Sequence, residues 1–358
     1  MRPWKLCGVA VVVALAATAC GGGAGAGPGT DQGADGQGGS GFPVRVADCQ
    51  GVTTTFSAAP RKIVTSNAAA LEMLLRLGAG DRVIGTGFPP GKGALPGDLD
   101  AKARKVPVLS KSAIPKEKLL GSGADLYIDS FAAMKIMGGS AGDAPTAEEF
   151  KAAGIKHLYL ASTACAPMAK KPQRDLSGVE GDIKRLGAVT GTSERADELV
   201  AGMRAKVGKV RRAVGDIAPD KRPTYFFFDY DAGTKQPVAV CRKQVANAVI
   251  GQAGARNVFE GCDGDFKPVS WEDVVAKNPD WIQLGVRNRG DAAANAKAFD
   301  QAAEFLKSFP ATKGLAAVRH GKFLRIGSER TTVAGVGNAD TVEKIAHTIH
   351  PTRFKAAH

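Results

Sequence analysis

The chain has 358 residues, 44% of them hydrophobic, and a formal charge of +13. That is enough apolar material for a packed globular body of more than one domain. The basic residues, such as Lys102, Arg104, Lys105, Lys170 and Lys171, are scattered, with no dense arginine block and no aromatic interleaving, which argues against nucleic acid as a partner.

Arg2 and Lys5 precede an apolar stretch over residues 6–17, and Ala17-Thr18-Ala19 lead into Cys20. This is the plan of a secretory leader, removed at a site of small residues. The cysteine just after that site resembles the bacterial lipobox, with Ala17 where Leu is usual. The pattern predicts a lipoprotein signal peptide over 1–19 and lipidation of Cys20. Residues 20–41 are mostly Gly, Ala, Asp, Gln and Ser, with nothing to bury, and read as a flexible tether. The apolar stretch is too short to span a bilayer. The expected location is therefore the outer face of the cytoplasmic membrane, through a lipid anchor, with the remaining net charge suited to anionic lipid or to an anionic ligand.

Cys7 leaves with the leader and Cys20 takes the lipid, so Cys49, Cys165, Cys241 and Cys262 remain. An even number outside the cytoplasm argues for two disulfides, in one of three connectivities. Cys49–Cys165 with Cys241–Cys262 is favoured, because each pair stays within one half of the chain. A zinc site lacks both a CxxC spacing and a nearby histidine.

From Arg61 onward, short β-type runs alternate with helical stretches. The first half reads as strand 62–65, helix 68–77, strand 82–85, helix 116–120, strand 125–129, helix 147–153 and strand 157–161. The second half reads as strand 223–228, helix 245–253, strand 257–259, helix 271–276, strand 281–285, helix 298–308, strand 322–326 and helix 338–349. Such alternation implies an α/β fold with mostly parallel sheets flanked by helices. Between the halves, Ala196, Leu199, Val200, Met203, Val207, Val210 and Val214 fall on one face of a helix over 194–216. Thr192 or Ser193 can cap it, Glu194 suits its positive end, and Pro219 lies past its end. It reads as a rigid strut. The expected organisation is two lobes, 42–190 and 219–358, joined by a helical segment over 191–218.

In this order the motifs resemble a known family. They are Pro60-Arg61-Lys62-Ile63-Val64-Thr65-Ser66-Asn67, Leu71-Glu72-Met73-Leu74-Leu75-Arg76-Leu77-Gly78 and Asp81-Arg82-Val83-Ile84-Gly85. Later come Ala124-Asp125-Leu126-Tyr127-Ile128, Asp182-Ile183-Lys184-Arg185-Leu186-Gly187, Gly254-Ala255-Arg256-Asn257-Val258-Phe259, Val269-Ser270-Trp271-Glu272-Asp273-Val274-Val275 and Asn278-Pro279-Asp280-Trp281. The chain is similar to the substrate-binding lipoproteins of ABC importers for ferric siderophores and cobalamin. The resemblance implies a monomeric two-lobed receptor that binds rather than catalyses, delivers its ligand to an ABC permease, and closes by a small hinge motion. In that family a glutamate on each lobe docks into basic pockets of the permease, which assigns Glu72 and Glu272 to docking.

In open α/β sheets, ligands sit beyond the carboxyl ends of the strands. That rule selects Ser66, Asn67, Phe88, Asp129, Ser130, Phe131 and Thr163 in the first half, and Asp229, Tyr230, Arg287, Arg289, Arg330 and Thr331 in the second. Arg242 and Trp271 join them near helix starts. Arg242, Arg287 and Arg330 suit oxygen pairs of a chelate, while Phe88, Phe131 and Tyr230 can form an apolar wall. The block of expected ligand contacts is Asn67, Phe88, Ser130, Phe131, Tyr230, Arg242, Trp271, Arg287 and Arg330. No cofactor and no bare metal site are expected: His157, His320, His347, His350 and His358 are scattered. The ligand is expected to be a ferric siderophore, with cobalamin or haem as the alternative. An extracellular hydrolase is the reading from another class, and no histidine falls in a strand-end loop facing the expected cleft.

Overall fold

A computed structural model describes residues 41–49, 51–131 and 144–354. The predicted leader, Cys20 and all but the last residue of the tether lie outside the described residues. Two short strands open the described chain, β1 (Val44–Ala47) and β2 (Thr53–Phe56), paired antiparallel. Then come β3 (Ile63–Thr65), α1 (Ala68–Arg76), β4 (Val83–Thr86), α2 (Asp98–Lys105), α3 (Lys116–Leu120), β5 (Leu126–Asp129), α4 (Ala147–Ala152), β6 (Lys156–Tyr159), α5 (Ala161–Ala164) and α6 (Ser177–Thr190). The strut is α7 (Ser193–Val214). Beyond it lie β7 (Thr224–Asp229), β8 (Val238–Val240), α8 (Val245–Gln252), β9 (Arg256–Asn257), β10 (Phe266–Pro268), α9 (Trp271–Lys277) and β11 (Trp281–Gly285). The chain closes with α10 (Ala292–Ser308), α11 (Ala316–Arg319), β12 (Phe323–Arg325), α12 (Ser328–Thr332), α13 (Gly337–Ile349) and α14 (Pro351–Phe354).

Each lobe holds one four-stranded, all-parallel sheet, in the order β4-β3-β5-β6 and β12-β11-β7-β9. Read from its other edge, the second sheet is β9-β7-β11-β12, the same path as the first. The lobes thus repeat one plan in which β7 answers β3, β9 answers β4, and β11 answers β5. In each sheet the order reverses at the two central strands, where the crevice for a ligand opens.

Local chemistry explains the element starts. Asn67 caps α1 by accepting from Ala70 N–H at 3.0 Å. Thr146 with Glu149, and Ser270 with Asp273, form reciprocal capping boxes on α4 and α9. The strut runs for 22 residues, roughly 33 Å at 1.5 Å per residue. Thr192 occupies its N-cap position, but its hydroxyl bonds Thr190 instead, at 2.8 Å, so the expected side-chain cap is not formed. Glu194 at one end and Arg211 and Arg212 at the other complement the helix dipole. The strut ends at Gly215, whose φ of +68° suits glycine.

Ala196, Val200, Met203, Val210 and Val214 of the strut are buried. They belong to one apolar cluster that also contains Leu71 and Ile183 of the first lobe and Val249 and Ile345 of the second. The lobes therefore share a core through the strut, which leaves little freedom for them to swing apart. The second lobe has a further aromatic core in which Phe226, Phe228, Trp271, Phe305 and Phe309 pack with ring centroids 5.2–6.5 Å apart. The bridges are Cys49–Cys165 and Cys241–Cys262, the favoured connectivity. The first ties the N-terminal hairpin to the end of α5; the second staples the β8–β10 hairpin.

Candidate functional site

On the first lobe, the carboxyl ends of β3, β4 and β5 converge. Ser66 Oγ accepts from Ser130 N–H at 3.0 Å, joining the β3 and β5 ends. Asn67 is 5% exposed and Ser130 2%. Both carry a polar atom with no partner among the described residues, Nδ2 of Asn67 and Oγ of Ser130. A buried polar atom left without a partner costs free energy that the surrounding packing must offset. Phe88 follows β4 at φ +35°, a strained conformation for an aromatic residue. Its ring meets Phe131 edge-on at 5.6 Å, an aromatic contact between the ends of two strands. Asp129, at the end of β5, accepts from Phe131 N–H at 2.7 Å and faces His157 Nε2 at 3.2 Å.

On the second lobe, Asp229 ends β7, Tyr230 and Asp231 follow it, Arg287 to Arg289 follow β11, and Glu329 and Arg330 lie on α12. Asp231 accepts from Arg287 N–H at 2.6 Å and pairs with the Arg289 guanidinium. Glu329 accepts from Asn288 N–H at 3.2 Å, and Ser328 Oγ lies 3.4 Å from Asp229. Burial pushes the Asp229 carboxyl above its usual range; Arg287 pulls it down and Asp231 adds to the rise. Glu329 is raised for the same first reason, with backbone hydrogen bonds and Arg287 opposing and Asp229 reinforcing. The charge of Arg287 thus favours the ionised form of both carboxyls. Tyr230 packs edge-on against Phe228 at 6.1 Å.

Contacts cross between the lobes. Lys92 N–H donates to Gly290 C=O at 2.8 Å, and a Cβ on Gly91 would lie 2.3 Å from Asn288 Oδ1, so a side chain there would displace Asn288. Ala334 N–H donates to Thr163 Oγ1 at 3.0 Å. Gln173 N–H donates to Arg242 C=O at 2.9 Å. Most telling is Glu72, 3% exposed on α1. Arg76 holds it at 2.7 Å, and Arg330 reaches it from the other lobe at 3.2 Å. Arg330 also lies 3.7 Å from Asp340, which pairs with Lys206 of the strut.

Three sequence expectations change. Glu72 is not a surface docking residue, because it is buried in this interlobe ion pair. Trp271 does not line the crevice: the first turn of α9 turns its ring into the core, 5% exposed, with Nε1–H donating to Thr234 C=O at 2.8 Å. Arg330 is engaged by Glu72, and Arg242 by Asp263 at 2.8 Å beside the Cys241–Cys262 bridge, so neither guanidinium is unspent. Glu272 is exposed on α9. Its counterpart in the repeated plan is the second residue of α3, the helix entering β5 as α9 enters β11. That residue is Glu117, also exposed. Sequence reading missed it, though Glu117 precedes Lys118-Leu119-Leu120 as Glu272 precedes Asp273-Val274-Val275. Asp231 and Glu329 were missed as well, the second because α12 has no helical period long enough to notice.

Two parallel-sheet lobes on a helical strut, with polar strand ends facing across a crevice, define a solute-binding protein. The chain belongs to the periplasmic binding protein family, whose pattern it matches over residues 63–329. It is the substrate-binding protein of an ABC importer. It is 22% identical over 315 residues to an uncharacterized ABC transporter substrate-binding lipoprotein of Bacillus subtilis, covering 88% of each chain. It is 26% identical over 271 residues to a cobalamin-binding protein of Halobacterium salinarum, covering 74% of this chain and 65% of that one. A periplasmic binding protein from Veillonella parvula has a similar solved structure, with TM-score 0.71 and 26% identity, covering 87% of this chain and 99% of that one. Among the described residues no helix is long and apolar enough to cross a membrane.

Proposed function

We propose that the protein captures a ferric siderophore between its lobes and hands it to its permease. The observation that carries this reading is the mixed character of the strand ends. Ser66, Asn67 and Ser130 bring polar groups to the ends of β3 and β5, and the Phe88–Phe131 pair at the ends of β4 and β5 suits the hydrocarbon linkers of a chelate. Cobalamin is the second reading, favoured by the Halobacterium salinarum relative. Titrating intrinsic tryptophan fluorescence with ferric chelates, haem and cobalamin tests the assignment. Quenching by cobalamin or haem alone would sink it.

In the same reading Glu117 and Glu272 dock the lobes on the permease. Glu117→Arg and Glu272→Arg are expected to abolish uptake while leaving chelate affinity intact; loss of affinity instead would place these residues elsewhere in the mechanism. Cys20 anchors the receptor through lipid and tether, which keeps it near the permease at high effective concentration. The Bacillus subtilis relative is likewise named a lipoprotein. Cys20→Ala should release the protein from membranes without changing affinity, and a variant that stayed bound would remove the anchor from the account.

A further inference from the structure

The strut is polarised in charge. Its first turns carry Glu194, Asp197 and Glu198, of which Asp197 pairs with Lys184 at 2.9 Å and Glu198 with Arg195 at 2.6 Å. From Val200 to Val214 it has no acidic residue and five basic ones, Arg204, Lys206, Lys209, Arg211 and Arg212. Lys206 is taken by Asp340, and Arg204 donates to Glu180 through Nε and Nη2 at 2.9 and 2.7 Å. Lys209, Arg211 and Arg212 are exposed and make no ion pair among the described residues. The helix dipole accounts for cations in the last turn, Arg211 and Arg212, but not for Arg204 or Lys209 further back. Arg353, exposed on α14, joins them at the foot of the strut, where it donates to Val214 C=O. The carboxylates around this row are Glu180, Asp175 across the groove that Arg204 and Arg211 line, and Asp216 just past the strut. Five cations, Arg204, Lys209, Arg211, Arg212 and Arg353, thus face three anions.

The surface beneath the row is low. Ala201, Ala205 and Gly208 follow one another at spacings of four and three on the side of the strut turned from its core, with Gly202 beside them. The Arg212 guanidinium lies over Gly208, where a Cβ would meet its Nη1 at 3.4 Å. From Arg204 to Arg212 the row runs about 12 Å along the helix. Long cationic arms over small residues, with no aromatic ring between Val200 and Val214, suit an extended plane of negative charge better than a single anion. A substrate-binding protein of an ABC importer works beside such a plane, the bilayer that holds its transporter. The described chain enters at the other end of the strut, where a Cβ on Gly191 would lie 3.7 Å from the Phe42 ring.

We propose that the second half of the strut, through Lys209, Arg211 and Arg212, rests on anionic phospholipid headgroups. An anchor acting through Phe42 at one end and this contact at the other lay the strut along the membrane.

The test uses the chain from Gly21 onward, without leader or lipid, which contains every described residue. It is sedimented with vesicles of phosphatidylcholine alone or with about 30% phosphatidylglycerol, at about 0.1 M and about 0.5 M salt. Binding is expected to the anionic vesicles only, and to be lost at the higher salt. A cation near an anionic surface is worth about fivefold in affinity, so Lys209→Gln/Arg211→Gln/Arg212→Gln should weaken binding about a hundredfold. Lys170→Gln/Lys171→Gln/Lys297→Gln removes the same net charge from exposed lysines elsewhere that make no ion pair among the described residues, and should change binding less than about threefold. No binding to anionic vesicles, equal binding to both vesicle types, or equal loss in the two triple variants overturns the proposal. The salt and lipid series need no variant, so they decide even if the strut variant folds poorly.

Discussion

The Glu72–Arg330 pair is an ionic link between the lobes outside their shared core, and its contribution can be worked out from its geometry. Glu72 is 4% exposed at its side chain and Arg330 36%. Oε1 of Glu72 takes Nε and Nη2 of Arg76 at 2.8 and 2.7 Å, while Oε2 takes Nη1 of Arg330 at 3.2 Å. Arg330→Gln removes one long charge-assisted bond and leaves Glu72 its nearer partner. A hydrogen bond to a charged group is worth about 1.5–3 kcal/mol, and the length and exposure of this one bring the expected cost down to about 1 kcal/mol. Glu72→Gln takes a buried anion from between two guanidiniums, and its expected cost is about 3 kcal/mol. The two substitutions share a partner, so together they should cost less than their sum by about 1 kcal/mol. Urea unfolding of the two single variants and the double variant, at low and high salt, measures each quantity. A coupling below about 0.3 kcal/mol would show that the lobes do not depend on this pair. Unchanged stability in Glu72→Gln together with lost engagement of the permease would return Glu72 to a docking role.

The two disulfides should differ in what their loss costs. They close loops with sequence separations of 116 and 21, for which chain entropy gives about 4.9 and about 3.3 kcal/mol. Thermal unfolding of Cys49→Ser/Cys165→Ser and Cys241→Ser/Cys262→Ser checks the order, and a reversed order would mean native contacts outweigh the loop. Gly254 has φ +81°, and a Cβ there would lie 2.6 Å from Val214 Cγ1 and 3.0 Å from His350 Nε2. Gly254→Ala should therefore cost about 2–4 kcal/mol from backbone strain and overpacking at the foot of the strut, measured by denaturant midpoint. His350 donates through Nε2 to Gly254 C=O at 3.2 Å. Burial holds its imidazole below the ordinary value of 6.5, Arg353 adds to that, and the Gly254 bond opposes it. The unfolded chain then takes up the proton more readily than the native one. Stability from this group is present above pH 6.5 and lost as pH falls from there through the lowered folded value. His350→Gln should flatten that part of the stability–pH profile, and an unchanged slope would assign it to other groups.

The fold was legible where period and punctuation agreed. The strut shows an apolar face of three- and four-residue spacing closed by Gly215, and the parallel strands are short apolar runs set off by turns, so both could be read along the chain. The start of α10 was read late, at 298 rather than Ala292, because its first turn is alanine and asparagine with no apolar stripe, capped by Asp291. The β8–β10 pair escaped notice because its strands are only three residues long and lie 25 residues apart in the chain. Helix α6 escaped because its buried positions include Asp182, whose carboxyl receives the Ala161 and Ser162 amides at the start of α5. A buried aspartate reads as surface until its partners are known.

The positions of the candidate residues were legible, but not their pairing. The strand-end rule picked Asn67, Phe88, Ser130, Phe131, Tyr230 and Arg287, and each lies at or just beyond the carboxyl end of a parallel strand. What a guanidinium does there depends on its neighbours in space. Arg330 and its acidic partner are 258 residues apart, Arg242 and Asp263 are 21 apart across a disulfide, and Arg287 and Arg289 meet acids brought in by β7 and α12. Read singly, these arginines suggest a pocket for anions. Paired as the fold pairs them, Arg242, Arg289 and Arg330 each meet a carboxylate, and the one acidic residue assigned to the outer surface of the first lobe is buried in a contact between the lobes.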